Sequence, residues 1–261
     1  MTTETMTADD EVRMTLDPQS HVGVVELNRP PNNFLDISLL RAVCTAMESL
    51  DETPGCRAIV LAAAGKHFCA GRDFSKPRGP EDDSASIYRE AGRLLRLRTP
   101  FVAAVQGAAI GAGLGLALCA DFRFCSTRAY FTANFVRLGL HHGFGLSVTL
   151  PRVIGVQRAS ELLYTGDKVG ADHAAELGLV DRVCAEDTLR DAAVAFAARL
   201  AGVPPLAVQS IRATMRTGLA EQFRAATELE SAEQARLSVT ADAKEAAAAA
   251  RERRPGRFRG A

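Results

Sequence analysis

Residues 101–120 of the chain read Phe-Val-Ala-Ala-Val-Gln-Gly-Ala-Ala-Ile-Gly-Ala-Gly-Leu-Gly-Leu-Ala-Leu-Cys-Ala, with four glycines and no charged side chain. No other segment limits the fold as much. A stretch this apolar has to be covered by the rest of the protein. It approaches the ~20 residues of a membrane span, but the glycines and Gln106 break it as a spanning helix. Phe101–Val105 instead predicts a buried strand, residues 107–115 a turn rich in Gly and Ala, and the residues up to Cys119 a helix. A strand passing through glycines into a helix belongs to an α/β architecture.

The flanking sequence repeats this alternation. Val12–Leu16 and Val22–Asn28 read as a hairpin around Pro18-Gln19-Ser20. Asp36 is placed to cap a helix running to Leu50, with Leu39, Leu40, Val43, Ala46, Met47 and Leu50 on one face. Ala58–Ala64 and Phe122–Cys125 are short apolar runs that predict buried strands. Residues 75–83 read as a loop, and helix resumes near Ser84 and stops before Thr99-Pro100. Beyond Gly145 the pattern is helical, most clearly over Asp191–Leu200, after Pro204-Pro205, and over Ala220–Arg254, with one late strand at Val180–Cys184. These signals predict a polar, disordered segment over 1–10, a mixed α/β core over 11–200 and a helical section over 201–261, with no linker between the last two.

Composition narrows the function classes. The chain has 261 residues, 47% of them hydrophobic, and 31 basic side chains offset 31 acidic ones. This excludes a globally basic nucleic-acid binder and a disordered chain. A chain of this length buries about three quarters of its unfolded surface, so its core requires neither disulfides nor metal. The six cysteines, at 44, 56, 69, 119, 125 and 184, lack CxxC spacing and sit in apolar stretches. They read as reduced, buried thiols of a cytoplasmic protein. The N-terminus is polar and acidic, without an apolar signal core. The basic residues are mostly Arg, and five of them crowd into 251–259 against Glu252 alone. Permanently protonated guanidinium groups cannot act as general bases, but they suit phosphate.

Two glycine-bearing turns look chemical. The first, Lys66-His67-Phe68-Cys69-Ala70-Gly71-Arg72-Asp73-Phe74, follows a strand, and the second is Gly107–Gly115. Small residues let a ligand approach the backbone, and N–H groups at a helix start are free to hold a carbonyl or an oxyanion. Glycines kept only for tight packing are the competing reading. Dinucleotide binding is excluded by spacing: Gly111-Ala112-Gly113-Leu114-Gly115 is not G-x-G-x-x-G, and no P-loop lysine is present.

Phe68-Cys69-Ala70-Gly71-x-Asp73 followed by Gly107-x-Ala109-x-Gly111-Ala112-Gly113-x-x-Leu116-Ala117 and Ala120-Asp121 resembles the crotonase family of enoyl-CoA hydratases and isomerases. Leu27-Asn28-Arg29-Pro30, Leu163-Tyr164-Thr165-Gly166, Ala174-x-x-x-Gly178-Leu179-Val180 and the ending Arg254-Pro255-Gly256-Arg257-Phe258 extend the similarity over about residues 12–260. The resemblance implies a spiral of β-β-α units with a C-terminal helical trimerisation section, assembled as homotrimers or pairs of trimers. It also implies an acyl-CoA thioester as ligand, in fatty-acid or related metabolism. Coenzyme A would enter as part of the substrate, and no resident cofactor or metal is implied.

By the same resemblance the thioester oxygen would accept the backbone N–H groups of Arg72 and Ala112, within a site formed by Ala70, Gly71, Asp73, Phe74, Gly111 and Gly115. Arg29, Lys66, Lys76, Arg78 and, from a neighbouring subunit, Phe258 and Arg259 would meet the nucleotide end. The side chain of Arg72 could reach a CoA phosphate or face solvent; the sequence leaves both open. The family's two catalytic glutamates fall on Gly115 and Phe135, neither of which can exchange a proton. Hydration by a glutamate pair is therefore not expected. The remaining acid–base candidates are His141 and His142, near-neutral titrators beside the expected acyl pocket, with Asn134 and Arg137 as residues that could order water. Two readings stay open: an enzyme of this family, lyase or isomerase, with altered acid–base groups, or a non-catalytic acyl-CoA-binding protein.

Overall fold

The computed structural model describes residues 4–6, 11–73 and 83–261. The first half contains β1 (Glu4–Met6), β2 (Val12–Asp17), β3 (Val22–Leu27), α1 (Ile37–Glu52), β4 (Ala58–Ala63), α2 (Ser84–Leu94), β5 (Phe101–Val105), β6 (Ala108–Ile110), α3 (Ala112–Leu118), β7 (Phe122–Ser126) and β8 (Tyr130–Thr132). A 3-10 turn over Asn134–Leu138 leads to α4 (Leu146–Ile154), α5 (Val156–Thr165), β9 (Lys168–Gly170), α6 (Ala171–Glu176) and β10 (Arg182–Cys184). The helices α7 (Leu189–Ala201), α8 (Pro205–Met215), α9 (Leu219–Ser238) and α10 (Ala241–Glu252) follow.

The larger sheet has the order β1-β2-β3-β4-β5-β7-β10, antiparallel through β3 and parallel from β3 onward. The smaller sheet is β6-β8-β9. The chain steps from β5 to β6 and from β7 to β8, leaving the large sheet for the small one each time, so it winds as a spiral of β-β-α units. The parallel strands are apolar on both faces because both faces are covered. Ile59, Leu61, Phe101, Ala103 and Val105 pack with α1, α2 and α3. Their neighbours Val60, Ala62, Val102 and Ala104 meet Leu189, Ala193, Ala197 and Ala201, spaced by four along α7. The Asp36 cap forms as expected, accepting the Leu39 N–H at 2.9 Å.

The structure departs from the sequence expectations in three places. Within the segment expected to be disordered, Glu4–Met6 pairs with β2 from Glu4↔Leu16 to Met6↔Met14. The unpaired edge of β2 recruits main chain, whatever the polarity of the side chains. The strands β6, β8 and β9 have three residues each, too short for any periodicity to be visible. The helix expected over 220–254 is two helices, broken where Thr240 caps α10 by accepting the Ala243 N–H at 3.1 Å.

The C-terminal helices fold back onto the core. Asp121 accepts the Phe101 N–H at 2.9 Å and pairs with Arg212 of α8 and with Arg216 at its C-terminal cap, each at 2.9 Å. Helix α9 lies against α2 and α4 and buries Phe223 edge-on to Phe144, with ring centroids 6.5 Å apart.

The glycines of the two turns hold them together. Cys69 N–H donates to the Ala108 carbonyl and Ile110 N–H to the Cys69 carbonyl, both at 3.0 Å, so Cys69 and Ala109 form a one-residue bridge between the turns. A Cβ on Gly113 would run into the Cys69 carbonyl oxygen, and one on Gly71 would stand 2.7 Å from the Ile110 carbonyl oxygen. Gly113→Ala is therefore expected to cost more than ~3 kcal/mol of stability by forcing apart two backbone segments. Gly170→Ala, where a Cβ meets nothing within 4 Å, should cost less than half as much. Thermal unfolding of the two variants checks the contrast; equal costs would mean that the turns can part freely.

Candidate functional site

Just past the bridge, the two turns emerge as Ala70-Gly71-Arg72 and Gly111-Ala112 and line one cavity of about 210 Å³. Gly71 (φ 76°) and Gly111 (φ 55°) lie in the left-handed region, which lets each strand end turn sharply at the cavity wall. Ala112 opens α3, whose first internal bond runs from the Gly115 N–H to the Gly111 carbonyl at 3.1 Å. The N–H of Ala112 therefore has no partner within the helix. The other walls are mostly apolar, from Leu35, Ile87, Ile110, Phe135, Leu138 and Leu140. Polar groups come from Asn134, Ser84, Tyr88 and Gln234. Among the described residues lining the cavity there is no carboxylate and no imidazole.

Gly115 does not face this space. A Cβ there would lie 2.5 Å from Cδ1 of Phe144, a fully buried residue held at φ 61°. The ring of Phe144 fills the volume that a side chain at 115 would need. Phe135 does line the cavity, and its ring lies over Gly111: a Cβ on Gly111 would meet Phe135 Cζ at 3.4 Å.

Neither histidine lines the cavity, so the structure does not bring these two expected acid–base candidates to its wall. His141 Nδ1 donates to the His142 carbonyl at 2.7 Å, and the two rings lie 4.1 Å apart. His142 Nε2 donates to Ser147 Oγ at 2.8 Å, and that hydroxyl donates to Glu230 at 2.7 Å. Burial, and then the neighbouring His141, push the His142 imidazole down to about 4, so it is neutral at physiological pH. Arg137 is also turned away, pairing with Asp167 at 2.5 Å.

Glu230 is the residue that sequence reasoning missed. Its side chain is buried on α9 and accepts the Gly145 N–H at 2.8 Å, the Ser147 N–H at 3.0 Å and the Ser147 hydroxyl. Burial raises its pKa above the ordinary carboxylate range despite these three donors. By gripping both sides of residue 146 it fixes the 143–147 loop, and with it the ring of Phe144. A signal was available: Phe223, Thr227, Glu230 and Gln234 recur at helical spacing on the buried stripe of α9, where a charge demands an explanation.

Of the remaining expected site residues, those that are described do not line the cavity. Arg29 pairs with Glu11 and, at 2.6 Å, with Asp36, so its charge is used in fastening the residue before β2 to the cap of α1. Asp73 ends the described segment before 83, and Phe74, Lys76 and Arg78 lie outside the described residues. Phe258 is 58% exposed. Arg259 joins Arg254, Arg257, Asp242 and Glu245 around a separate hollow. All six thiols are free, and five of them are buried. Burial pushes Cys69, beside the first turn, up to about 12, which removes it as a nucleophile.

The depressed His142 makes stability fall in acid. Its stabilising contribution is present above the ordinary imidazole pKa of ~6.5 and is lost as pH falls through about 4. The full shift corresponds to about 3 kcal/mol. His142→Gln keeps an N–H for Ser147 and is expected to flatten melting temperature against pH between 6.5 and 4. If the variant and the parent fall in parallel, the acid sensitivity lies in other groups.

The family model described as enoyl-CoA hydratase/isomerase matches residues 17–261. The mitochondrial Δ(3,5)-Δ(2,4)-dienoyl-CoA isomerase of Homo sapiens is 35% identical over 218 residues, covering 76% of this chain and 66% of that protein. The (E)-benzylidenesuccinyl-CoA hydratase of Thauera aromatica is 34% identical over 205 residues, covering 76% of this chain and 80% of that one. The crystal structure of an enoyl-CoA hydratase/isomerase from Pseudoalteromonas atlantica superposes with a TM-score of 0.85 at 30% identity, over 95% of this chain and all of the other. With interlocked glycine turns, a β-β-α spiral and a family match over nearly its whole length, the chain belongs to the enoyl-CoA hydratase/isomerase family.

Proposed function

We propose that the chain binds an acyl-CoA thioester, with the thioester oxygen on the N–H groups of Arg72 and Ala112 and the acyl group in the cavity. The carrying observation is that the Cys69–Ala109 bridge delivers both N–H-bearing residues to the wall of one cavity. Two donors aimed at one oxygen polarise the carbonyl toward an enolate, and each such donor is typically worth ~3–4 kcal/mol to the charged state. Gly115 and Phe135 stand at the two glutamate positions that the family resemblance assigns, and Phe144 fills the space beside Gly115. Hydration by a glutamate pair is therefore not the reaction of this chain; carbonyl polarisation with other acid–base groups is.

A non-catalytic acyl-CoA-binding protein is the second reading. The engagement of His141 and His142 away from the cavity favours it. On the described cavity wall the titratable side chains are Arg72 and Tyr88, and burial pushes the Tyr88 phenol up to about 12. In both readings coenzyme A is part of the ligand. The assembly is a homotrimer or hexamer, supported by exposed apolar residues on α5 (Val156, Tyr164) and α8 (Leu206, Ile211, Met215). In such an assembly Phe258 and the Arg-rich C-terminus of one subunit meet the nucleotide bound to the next. The free thiols support a reducing, cytoplasmic location.

Ala112→Pro tests the binding mode, because proline is tolerated at the first helical position and deletes only the N–H. It is expected to weaken thioester binding at least ~10-fold in calorimetry while the fold persists. Unchanged affinity would remove Ala112 from the site. Crotonyl-CoA hydration is expected at least ~100-fold below that of a two-glutamate enzyme. Turnover at a normal rate would show that a group outside the described cavity wall supplies the proton.

A further inference from the structure

We infer that the part of this cavity walled by α2 and α9 is built to hold a neutral hydroxyl on the acyl chain, so that hydroxylated acyl groups are preferred over plain hydrocarbon ones; this rests on the acyl-CoA reading above. The wall contributed by α2 and α9 carries Ser84, Tyr88 and Gln234. Tyr88 and Gln234 are only 6% and 8% exposed. The Gln234 Nε2 donates to the His141 carbonyl at 3.0 Å. A carbonyl can only accept, so this contact fixes the amide orientation. The Gln234 Oε1 then faces the hydroxyls and accepts Ser84 Oγ at 2.6 Å and Tyr88 Oη at 2.9 Å. Both lone pairs of that oxygen are used, and so are both hydroxyl protons.

What the cluster still offers is a donor, the second N–H of Gln234, and acceptors, the lone pairs of Ser84 Oγ on the less buried side and of Tyr88 Oη. A ligand hydroxyl uses both at once, giving its proton to Ser84 and accepting from Gln234. A carbonyl or ether oxygen would use only the donor. A carboxylate is disfavoured because Glu230 lies one turn before Gln234 on α9, and its negative charge acts on Tyr88. A hydrocarbon end would displace water from these groups and leave them without partners, at a cost of ~1–3 kcal/mol for each unsatisfied group.

The test is calorimetric binding of paired CoA esters, ω-hydroxyacyl against unsubstituted acyl, at chain lengths from four to ten carbons. At the best-fitting length the hydroxyacyl ester is expected to bind at least ~10-fold more tightly to the unmodified protein. Gln234→Leu should cancel or reverse that preference while retaining affinity for the hydrocarbon ester. Ser84→Ala, on a less buried residue, should reduce the preference with no change in melting temperature, which separates recognition from folding. If hydrocarbon esters bind as tightly as their hydroxylated partners at every length, the inference is overturned and thioester binding stands. If no CoA ester of either series binds, the acyl-CoA reading fails as well.

Discussion

The bridge between Cys69 and Ala109 is the contact on which the site depends. Two hydrogen bonds at 3.0 Å make it, but small residues make it possible. The Gly113 backbone stands so close to the Cys69 carbonyl, and Gly71 to the Ile110 carbonyl, that a side-chain carbon at either place would push the turns apart. Elsewhere in a core, apolar bulk drives association. Here its absence does, because the useful groups are backbone N–H, and backbone can converge on one point only where side chains leave room. The uncharged stretch 101–120 therefore has two jobs: its first five residues fill the sheet, and the next ten shape a wall.

A second chain of contacts reaches the same cavity from the opposite end of the sequence. Glu230 on α9 grips Gly145 and Ser147. That grip sets the loop carrying Phe144, whose ring occupies the space beside Gly115. Gln234, one turn along, reaches Ser84 and Tyr88. The helical section is thus structural toward the core and chemical toward the cavity. A buried carboxylate with three donors is costly to desolvate but costlier to orphan, which ties the geometry of the loop to the seating of α9.

The fold was legible where periodicity was long enough to count: the capped helix α1, the apolar strands β4 and β5, and the alanine stripe of α7. It was illegible where pairing is made by main chain alone, as in Glu4–Met6 and the three-residue strands, since side-chain patterns carry no record of those bonds. The glycine turns were legible because glycine is itself the mechanism. The placement of His142 was not legible because adjacency in sequence to a pocket does not settle which way a ring points; Ser147 and Glu230, five and 88 residues beyond it, decide it. Glu230 and Gln234 went unread because a polar residue on a helix is ordinarily a surface residue, and only the packing of α9 on α2 and α4 makes these two exceptional.

The balance of charge takes its meaning from this arrangement. The chain as a whole is neutral, and the described cavity wall has no carboxylate, so negative charge developing on a thioester oxygen meets no opposing charge on that wall. The buried carboxyl of Glu230 on α9 is enclosed by its three donors and does not line the cavity. Such a pocket suits the proposed polarisation of a carbonyl, because two fixed N–H dipoles would act beside a mostly apolar wall. The same wall offers neither carboxylate nor imidazole for proton transfer among its described residues. Binding and activation of the carbonyl are thus physically separable here from acid–base chemistry, and loss of the second need not erode the first, because the two rest on different residues: glycines and main chain for one, titratable side chains for the other.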